Sequence, residues 1–157
     1  MENHIIKCVS FNELTIKELY EIMVLRQEVF VVEQNCAFLD ADGKDFDSQH
    51  LMMYSSKNEL LAYTRLLPEG LAYENYTSIG RVVNHPKTRG SGIGKELMEN
   101  SIAWLEKLFG KAYPIKIGAQ SYLIPFYEKF GFVSQGDDYL EDGIPHRIMV
   151  RLRVSNG

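Results

Sequence analysis

The sequence has few of the features that mark secreted or membrane-spanning proteins. It contains only two cysteines, Cys8 and Cys36, with neither a metal-binding spacing nor a disulfide framework, so we interpret both as reduced thiols. No stretch approaches the ~20 consecutive apolar residues that a membrane helix needs. The opening segment, MENHIIKCVSF, lacks the apolar run of a secretory signal. We therefore expect a cytoplasmic protein that does not bind a membrane.

The chain also lacks an excess of positive charge. Its 17 lysine and arginine residues are outnumbered by 21 aspartate and glutamate residues, for a net charge of −4. This balance gives no reason to expect nucleic acid as a partner. What is present is typical of a folded globular domain, with 157 residues, 45% hydrophobic and 24% charged. Because no linker or repeat interrupts residues 1–157, we predict a single domain.

Hydrophobic spacing and turn residues predict alternating helices and strands. The first helix starts at the capping box of Thr15 and has Ile16, Leu19, Tyr20 and Met23 at helical spacing. The predicted elements, in chain order, are that helix to about Val29, a hairpin of Leu51–Tyr54 and Leu60–Leu67, a strand at Thr77–Val83, a helix ended by Gly110, a strand at Pro114–Ala119, a short helix between Ser121 and Gly131, and a final strand alternating from Ile148 to Val154. This order indicates one α/β or α+β domain.

A glycine-rich turn, RGSGIGKELM at residues 89–98, leads directly into one of these helices. Such turns often hold phosphates, but two familiar patterns fail here. The dinucleotide pattern G-x-G-x-x-G is broken because Lys95 stands where the last glycine belongs. The Walker pattern G-x-x-x-x-G-K-[ST] is broken because Arg89 stands at its first glycine and Glu96 follows the lysine.

The position of the turn between a strand and a helix nevertheless favours an anion. Backbone N–H groups and the positive end of the helix dipole point to one spot, and glycines let an anion approach closely. Residues 81–95 contain four basic side chains and no acidic one, although the whole chain is acidic. We interpret the turn as an anion site; the alternative is a tight turn with no ligand.

These residues resemble the signature of the GNAT acetyltransferases. RGSGIG at residues 89–94 matches the pattern R/Q-x-x-G-x-G/A, and QSYLIPFYEKFGF at residues 120–132 is similar to a second block of the family. The segment LRQEVFVVEQNCAFLDADGKDFDSQH, residues 25–50, resembles the ElaA-like branch in particular. Gln120 departs from the asparagine that most of the family has there.

The resemblance implies a fold and a cofactor. The family fold is a mixed, splayed central sheet of about six or seven strands with helices on both faces, and acetyl-CoA lies in the split. Carried over by position, the expected cofactor-binding residues are Val82, Val83 and Asn84 for the pantetheine arm, Arg89, Gly90, Ser91, Gly92, Ile93, Gly94 and Lys95 for the pyrophosphate, and Gln120 near the arm. Family members commonly dimerise through edges or C-terminal strands, so a homodimer is a further expectation.

Acetyl transfer to an amine requires a neutral amine, a stabilised oxyanion and a proton for the departing thiolate. Tyr127 stands where the family commonly has a thiolate-protonating tyrosine; the alternative is an ordinary half-buried aromatic residue. For the oxyanion, the backbone N–H of Val83 is our first choice. Glu33 and His50 are candidates for the base, since burial raises the pKa of a carboxyl and histidine titrates near neutrality. The alternatives are a polar helix end for Glu33, a histidine that opens a strand for His50, and a water relay in place of either.

The aspartate-rich segment DADGKDFD, residues 40–47, invites a calcium reading. With Gly43 at position six of an EF-hand, Phe38 falls first and Gln49 twelfth, so the ligand pattern breaks and we predict no metal site. Four aspartates against one lysine would attract a cationic amine. A solvated loop without this role is the alternative.

The sequence therefore predicts an acetyl-CoA-dependent N-acetyltransferase that acts on a small-molecule or peptide amine by direct transfer in a ternary complex. Neither cysteine has a recognisable base nearby in sequence, which argues against an acyl-enzyme. Two alternatives remain at this stage. One is a non-catalytic acyl-CoA-binding module, and the other is a nucleotide-phosphate protein that uses the same turn.

Overall fold

A computed structural model describes residues 3–152 of the chain. Its strands are β1 (Ile5–Ser10), β2 (Gln49–Tyr54), β3 (Leu60–Leu67), β4 (Ser78–Asn84), β5 (Ile115–Gln120), β6 (Phe132–Glu141) and β7 (Ile144–Arg151). Its α-helices are α1 (Ile16–Arg26), α2 (Ile93–Phe109) and α3 (Ile124–Glu128). A π-helical segment, Gln27–Glu33, continues α1 without a break.

The strands form two antiparallel sheets that meet at one point. The first sheet has the order β1-β2-β3-β4 and the second has the order β5-β7-β6. The two sheets join where Thr77 donates to the carbonyl of Pro114 at 3.1 Å and accepts from the N–H of Lys116 at 2.9 Å. This contact is parallel, whereas the pairing within each sheet is antiparallel. Beyond it, β4 and β5 diverge, which confirms the mixed, splayed sheet.

Helices cover both faces of the first sheet. Along β2, Met52 packs with Ile22 and Leu25 of α1. The neighbouring residue Met53 points to the opposite face and packs with Leu97 of α2. This alternation is the period-two geometry of a strand that is buried on both sides, and the prediction of helices on both faces is confirmed.

Of the four residues whose spacing predicts the first helix, two lie on the surface and two are partly buried. Ile16 is 90% exposed and Tyr20 is 72% exposed. The buried stripe is instead Ile22, Leu25 and Arg26, with Val29 continuing it in the π-helical segment. Both sets of residues have helical spacing. The buried set contains Arg26, and a charged residue does not mark a buried face when only hydrophobic residues are considered.

Two strands were missed and one was misread. The edge strand β1 and the polar, largely exposed β6 carry no apolar alternation of their own. In β7, Met149 and Val150 are both buried although they are adjacent, so the predicted alternation is wrong there. Val154 lies outside the described residues. The hairpin β2–β3, the capping box at Thr15 and the end of α2 at Gly110 are confirmed.

The cysteines and the helices carry two further observations. Cys8 and Cys36 are both free thiols and are both partly buried. Across residues 3–152, every helix is too short or too polar to cross a membrane.

Candidate active site

The divergence of β4 and β5 opens a cleft of about 860 Å³. Among the residues predicted to bind the cofactor, Val82, Val83, Asn84, Arg89, Gly94 and Gln120 line it. Two of the three predicted catalytic residues, Glu33 and Tyr127, line it as well. Segments far apart in sequence thus meet at the split, because the sheets separate beyond Thr77 and the glycine turn follows the far end of β4.

A bulge distorts β4 beside this cleft. The register between β3 and β4 shifts between Tyr63 and Arg65. On β4 itself, Arg81 has a positive φ of 50°. This conformation is uncommon for a residue with a side chain and is typically found where surrounding contacts enforce it, often at functional sites. A bulge also interrupts the regular ladder and re-aims the strand, so the polar backbone groups after Arg81 are redirected.

The ladder beyond the bulge shows which backbone groups face the cleft. The N–H of His85 donates to the carbonyl of Leu61 at 2.7 Å. Antiparallel neighbours alternate between bonded and non-bonded pairs, so Val83, two residues earlier, directs its N–H and C=O to β3. Val82 and Asn84 direct theirs to the opposite side, which is the cleft. The preference for Val83 as the oxyanion donor is therefore not supported, since its N–H faces the neighbouring strand.

The glycine turn presents backbone rather than side chains. Gly90 and Gly92 both have left-handed φ values, 81° and 86°, which only glycine adopts at little cost. Gly92 is the N-cap of α2 and provides no side-chain cap. The first N–H groups of this 17-residue helix are therefore available to an anion. The Ile93 side chain is buried in the core, so its predicted contribution to anion binding is limited to its backbone.

Glu33 and Arg89 form an ion pair across the mouth of the cleft. The guanidinium donates to both carboxylate oxygens, at 2.9 and 2.5 Å. The side chain of Glu33 is 40% exposed. The prediction that Glu33 lies in a buried environment is therefore wrong. The Glu33 carboxylate instead forms an ion pair with Arg89, the arginine that the family resemblance places at the pyrophosphate.

If the turn holds the pyrophosphate of CoA, as the family resemblance implies, replacing Glu33 by glutamine should strengthen CoA binding by up to about fivefold, because exposed ion pairs contribute roughly 0.2–1 kcal/mol. The change removes a carboxylate that competes for Arg89 and repels phosphate. Calorimetric titration with CoA measures the affinity. Glu28→Gln, an exposed carboxylate on the same π-helical segment, is the matched control. Unchanged or weaker binding by Glu33→Gln would contradict the competition.

Tyr127 lies on α3 at the inner wall of the cleft. It is 6% exposed and its ring meets the edges of Phe126 and Phe132. Burial raises the pKa of the Tyr127 phenol well above its usual value. The hydroxyl therefore stays protonated at neutral pH and can act as a donor. Pro125 in the first turn of α3 fixes the start of this short helix, as predicted.

His50 does not lie with the other predicted catalytic residues. It is 1% exposed, with Nδ1 2.7 Å from the hydroxyl of Tyr63 and Nε2 2.9 Å from the carbonyl of Asp45. Burial lowers the pKa of the imidazole. Both ring nitrogens are engaged inside the protein and the residue is not part of the cleft wall. The predicted role of His50 as a base is therefore not supported by its position.

The aspartate-rich segment has a structural role that neither sequence interpretation anticipated. Three of its four carboxylates bind three arginines. Arg26, which is fully buried, donates from Nε to Asp40 at 2.7 Å and from Nη1 to Asp45 at 2.8 Å. Arg65 donates to Asp42 at 2.8 Å. We call this set of Arg26, Arg65, Arg81, Asp40, Asp42 and Asp45 the ion cluster. Among residues 3–152, no group of acidic, histidine or cysteine side chains is arranged to hold a metal.

The ion cluster also reaches the bulge. Arg81 Nε lies 2.8 Å from Asp40 Oδ1, and Arg81 Nη2 donates to the backbone carbonyl of Asp40 at 2.9 Å. These contacts hold the side chain of the residue with the unusual φ. The segment around residues 40–45 therefore braces the distorted part of β4.

One histidine of the cleft was missed by the sequence reasoning. His146 is buried on β7, lines the cleft and has Nε2 3.3 Å from Glu141 Oε2. A histidine within GIPHR has no local motif. Its position depends on the pairing of β7 with both β5 and β6, which only the fold reveals.

Comparison with known proteins agrees with this geometry. The family model of the acetyltransferase (GNAT) domain matches residues 26–152. Protein ElaA of Escherichia coli is 39% identical over 147 residues, covering 89% of this chain and 91% of that protein. Its crystal structure superposes with a TM-score of 0.87 at 35% identity, over 95% of this chain and 99% of the other.

Two further crystal structures share the fold. An acyl-CoA N-acyltransferase from Pseudomonas aeruginosa superposes with a TM-score of 0.87 at 41% identity, over 95% of this chain and 99% of the other. The catalytic domain of the Tetrahymena GCN5 histone acetyltransferase, in complex with coenzyme A, has a TM-score of 0.72 at 11% identity, over 100% and 98% of the two chains. The chain described here belongs to the GNAT acetyltransferase family, in its ElaA-like branch.

Proposed function

We propose that the protein transfers the acetyl group of acetyl-CoA to a primary amine by direct attack within a ternary complex. The observation that carries the proposal is the cleft between β4 and β5, which has an uncapped helix N-terminus at its mouth and a buried tyrosine on its wall. An extended thioester arm fits this arrangement, because one edge of the cleft is a strand whose backbone groups face inward.

The cofactor-binding residues divide into two groups in this proposal. The backbone groups of Val82 and Asn84 pair with the amides of the pantetheine arm, as another strand would. The turn of residues 89–95 holds the pyrophosphate through backbone N–H groups. Arg89 adds a guanidinium once it leaves Glu33, and Gln120 faces the arm from β5. Gln120 is already within 3.3 Å of the Gln34 side chain, which orients its amide.

The chemistry then needs few protein groups. The amine lone pair attacks the thioester carbon, and a cleft-facing N–H of β4 stabilises the oxyanion. When the C–S bond breaks, the Tyr127 phenol gives its proton to the thiolate. Tyr127 suits this step because its phenol is protonated at neutral pH and lines the cleft.

The cysteines favour direct transfer over an acyl-enzyme. Burial raises the pKa of the Cys8 thiol to about 11, so little thiolate forms at neutral pH. Cys36 lines the cleft, but its thiol donates to the carbonyl of Asp142 at 3.3 Å. A carbonyl oxygen cannot take the thiol proton, so this contact does not activate the sulfur.

The proposal is tested by release of CoA thiol from acetyl-CoA in the presence of four classes of primary amine. Suitable probes are spermidine, kanamycin, free lysine and a short peptide with a lysine side chain. Amine-dependent thiol release, with mass spectrometry showing the acetyl group on the amine nitrogen, is the expected result. Tight acetyl-CoA binding without acetylation of any probe would favour the alternative, a non-catalytic acyl-CoA-binding module.

A further inference from the structure

The second sheet has one face turned to the core and one turned to the cleft. Along β5, Ile115, Ile117 and Ala119 pack into the core with α2 and α3. Gly118 and Gln120 alternate with them and therefore point the other way. We call this second side of the sheet the acceptor face; it consists of Gly118, Gln120, Tyr139 and His146, with Tyr73 beside Gly118.

Cross-strand pairing brings these residues together. His146 on β7 lies opposite Gln120 on β5 and opposite Tyr139 on β6. The Tyr139 ring is 5.9 Å from the imidazole of His146. The hydroxyl of Tyr139 lies over Gly118, where a Cβ atom would be only 2.6 Å from it. Glycine at this position thus leaves room for the phenol of Tyr139, whose ring lies beside the imidazole of His146.

The contacts of His146 determine which ring nitrogen can take a proton. Nδ1 is 2.7 Å from the carbonyl of Ile144. Because a carbonyl can only accept, Nδ1 carries the hydrogen and a neutral ring has its lone pair on Nε2. Nε2 is 3.3 Å from Glu141 Oε2. A proton that binds to Nε2 would therefore be stabilised by the negative charge of Glu141. The neutral ring gains no hydrogen bond from Glu141, because a carboxylate has no hydrogen to donate to the Nε2 lone pair.

We propose that His146 is the general base that deprotonates the acceptor amine, and that Glu141 is the positioning residue that stabilises its protonated form. This inference rests on the proposed acetyl transfer and adds a residue to it. His146 is buried yet part of the cleft wall, and it lies on the side of the second sheet opposite the core that holds Tyr127. Acceptor and leaving thiolate thus have separate proton partners on the two sides of the split.

The step balances without an added reagent. The ammonium N–H bond breaks, its proton forms an N–H bond at Nε2 of His146, and the nitrogen lone pair attacks the thioester carbon. The C–S bonding pair leaves with sulfur, which takes the proton of Tyr127. The second proton that the nitrogen loses as the amide forms then restores the Tyr127 phenol, directly or through solvent. The imidazolium then returns its proton to solvent beside Glu141, whose side chain is 58% exposed.

The other ionisable groups near His146 do not compete for this role. Burial raises the pKa of Tyr139 to about 12 and that of Tyr73 above its usual value, so both phenols stay neutral during turnover. Glu141 on β6 and Asp142 in the following turn are the acidic side chains of this part of the cleft wall. Glu33 is held by Arg89, and His50 lies outside the cleft.

His146→Gln tests the proposal on the full-length protein, with the fastest amine of the four probes as acceptor. General bases typically contribute about 10²–10⁴-fold, so kcat at pH 7 should fall about 100-fold or more. The deficit should shrink as pH rises, because the amine then loses its proton without help. The melting-temperature increase caused by acetyl-CoA should match that of the wild type, which shows an intact fold and cofactor site.

His4→Gln is the matched control. His4 also pairs with a carboxylate, Nδ1 lying 2.8 Å from Glu96 Oε2, but it does not line the cleft. Its kcat should stay within about twofold of the wild type, as expected for a histidine without a chemical role. Glu141→Gln should lower kcat at pH 7 without abolishing turnover, and this deficit should also shrink as the pH rises. Asp137→Asn, which removes an exposed carboxylate on β6, should leave kcat unchanged across the same pH range.

The outcomes separate the two proposals. If the wild type acetylates a probe and His146→Gln does so at an undiminished rate at pH 7, the base assignment is overturned and acetyl transfer stands. A loss of kcat in His146→Gln that is the same at every pH would also overturn the base assignment. Such a loss indicates a structural defect, because the loss of a base matters less once the amine is already deprotonated. If the wild type acetylates none of the probes, the proposed function fails first and the inference fails with it.

Discussion

Replacing Tyr127 by phenylalanine is expected to lower kcat by about 100-fold or more while leaving the dissociation constant for acetyl-CoA nearly unchanged. The change removes only the hydroxyl, and general acid catalysis typically contributes about 10²–10⁴-fold. The ring contacts with Phe126 and Phe132 are retained, so the wall of the cleft keeps its shape. The measurement is steady-state thiol release at saturating amine, with CoA affinity determined separately by calorimetry.

Tyr20→Phe is the control for this substitution. Tyr20 is 72% exposed on α1 and lies outside the cleft, so losing its hydroxyl should change neither rate nor affinity. Equal kcat for Tyr127→Phe and the wild type would remove the proton donor from the mechanism. A loss of acetyl-CoA binding by Tyr127→Phe would instead show that the hydroxyl supports the cofactor rather than the leaving thiolate.

Replacing Arg26 by methionine is expected to lower the free energy of unfolding by about 3–5 kcal/mol, the usual cost of removing one partner from a buried ion pair. The side chain is fully buried between Asp40 and Asp45. Its loss leaves two carboxylates with insufficient compensation inside the protein. Equilibrium unfolding in urea measures the effect, with Lys17→Met on the exposed surface of α1 as the control, expected within about 0.5 kcal/mol of the wild type.

The ion cluster also predicts how this effect depends on pH. Burial opposes ionisation of Asp45, but hydrogen bonds and charges from Arg26 and Arg65 outweigh it and lower the pKa of the carboxyl. A carboxyl with a lowered folded-state pKa stabilises the fold above its unfolded value of about 3.9, and this contribution is lost as the pH falls through the folded value. Acidification below about pH 4 should therefore destabilise the wild type more than Arg26→Met. Equal acid sensitivity would contradict the account.

The sequence was informative where function resides in a local pattern. The turn of residues 89–95 presents its backbone, and the need for glycine at Gly90 and Gly92 is visible in the residues themselves. Tyr127 belongs to the second motif block, and the strand before the turn is marked by the proline that follows it. For Arg89, Gly94 and Tyr127, local spacing and the family resemblance pointed to residues that line the cleft.

The sequence was uninformative where function depends on pairing between distant segments. His50 and His146 are both histidines in short strands, yet the fold buries one among Tyr63 and Asp45 and places the other beside the cleft. The direction of the Val83 N–H depends on the ladder with β3 and on the bulge at Arg81. The aspartates of residues 40–47 looked solvated because their arginine partners lie on other elements, up to 41 residues away.

The central claim, that the split between β4 and β5 binds acetyl-CoA, is tested most directly by a thermal-shift titration of the purified protein with acetyl-CoA, CoA, ATP and NAD in parallel. A ligand at about 100 times its dissociation constant stabilises the fold by ~2.7 kcal/mol, which for a chain of this size raises the melting temperature by roughly 5–10 °C. The account predicts this shift with acetyl-CoA and CoA and a much smaller one with ATP or NAD. No shift with millimolar acetyl-CoA, or a shift with a nucleotide alone, would contradict it.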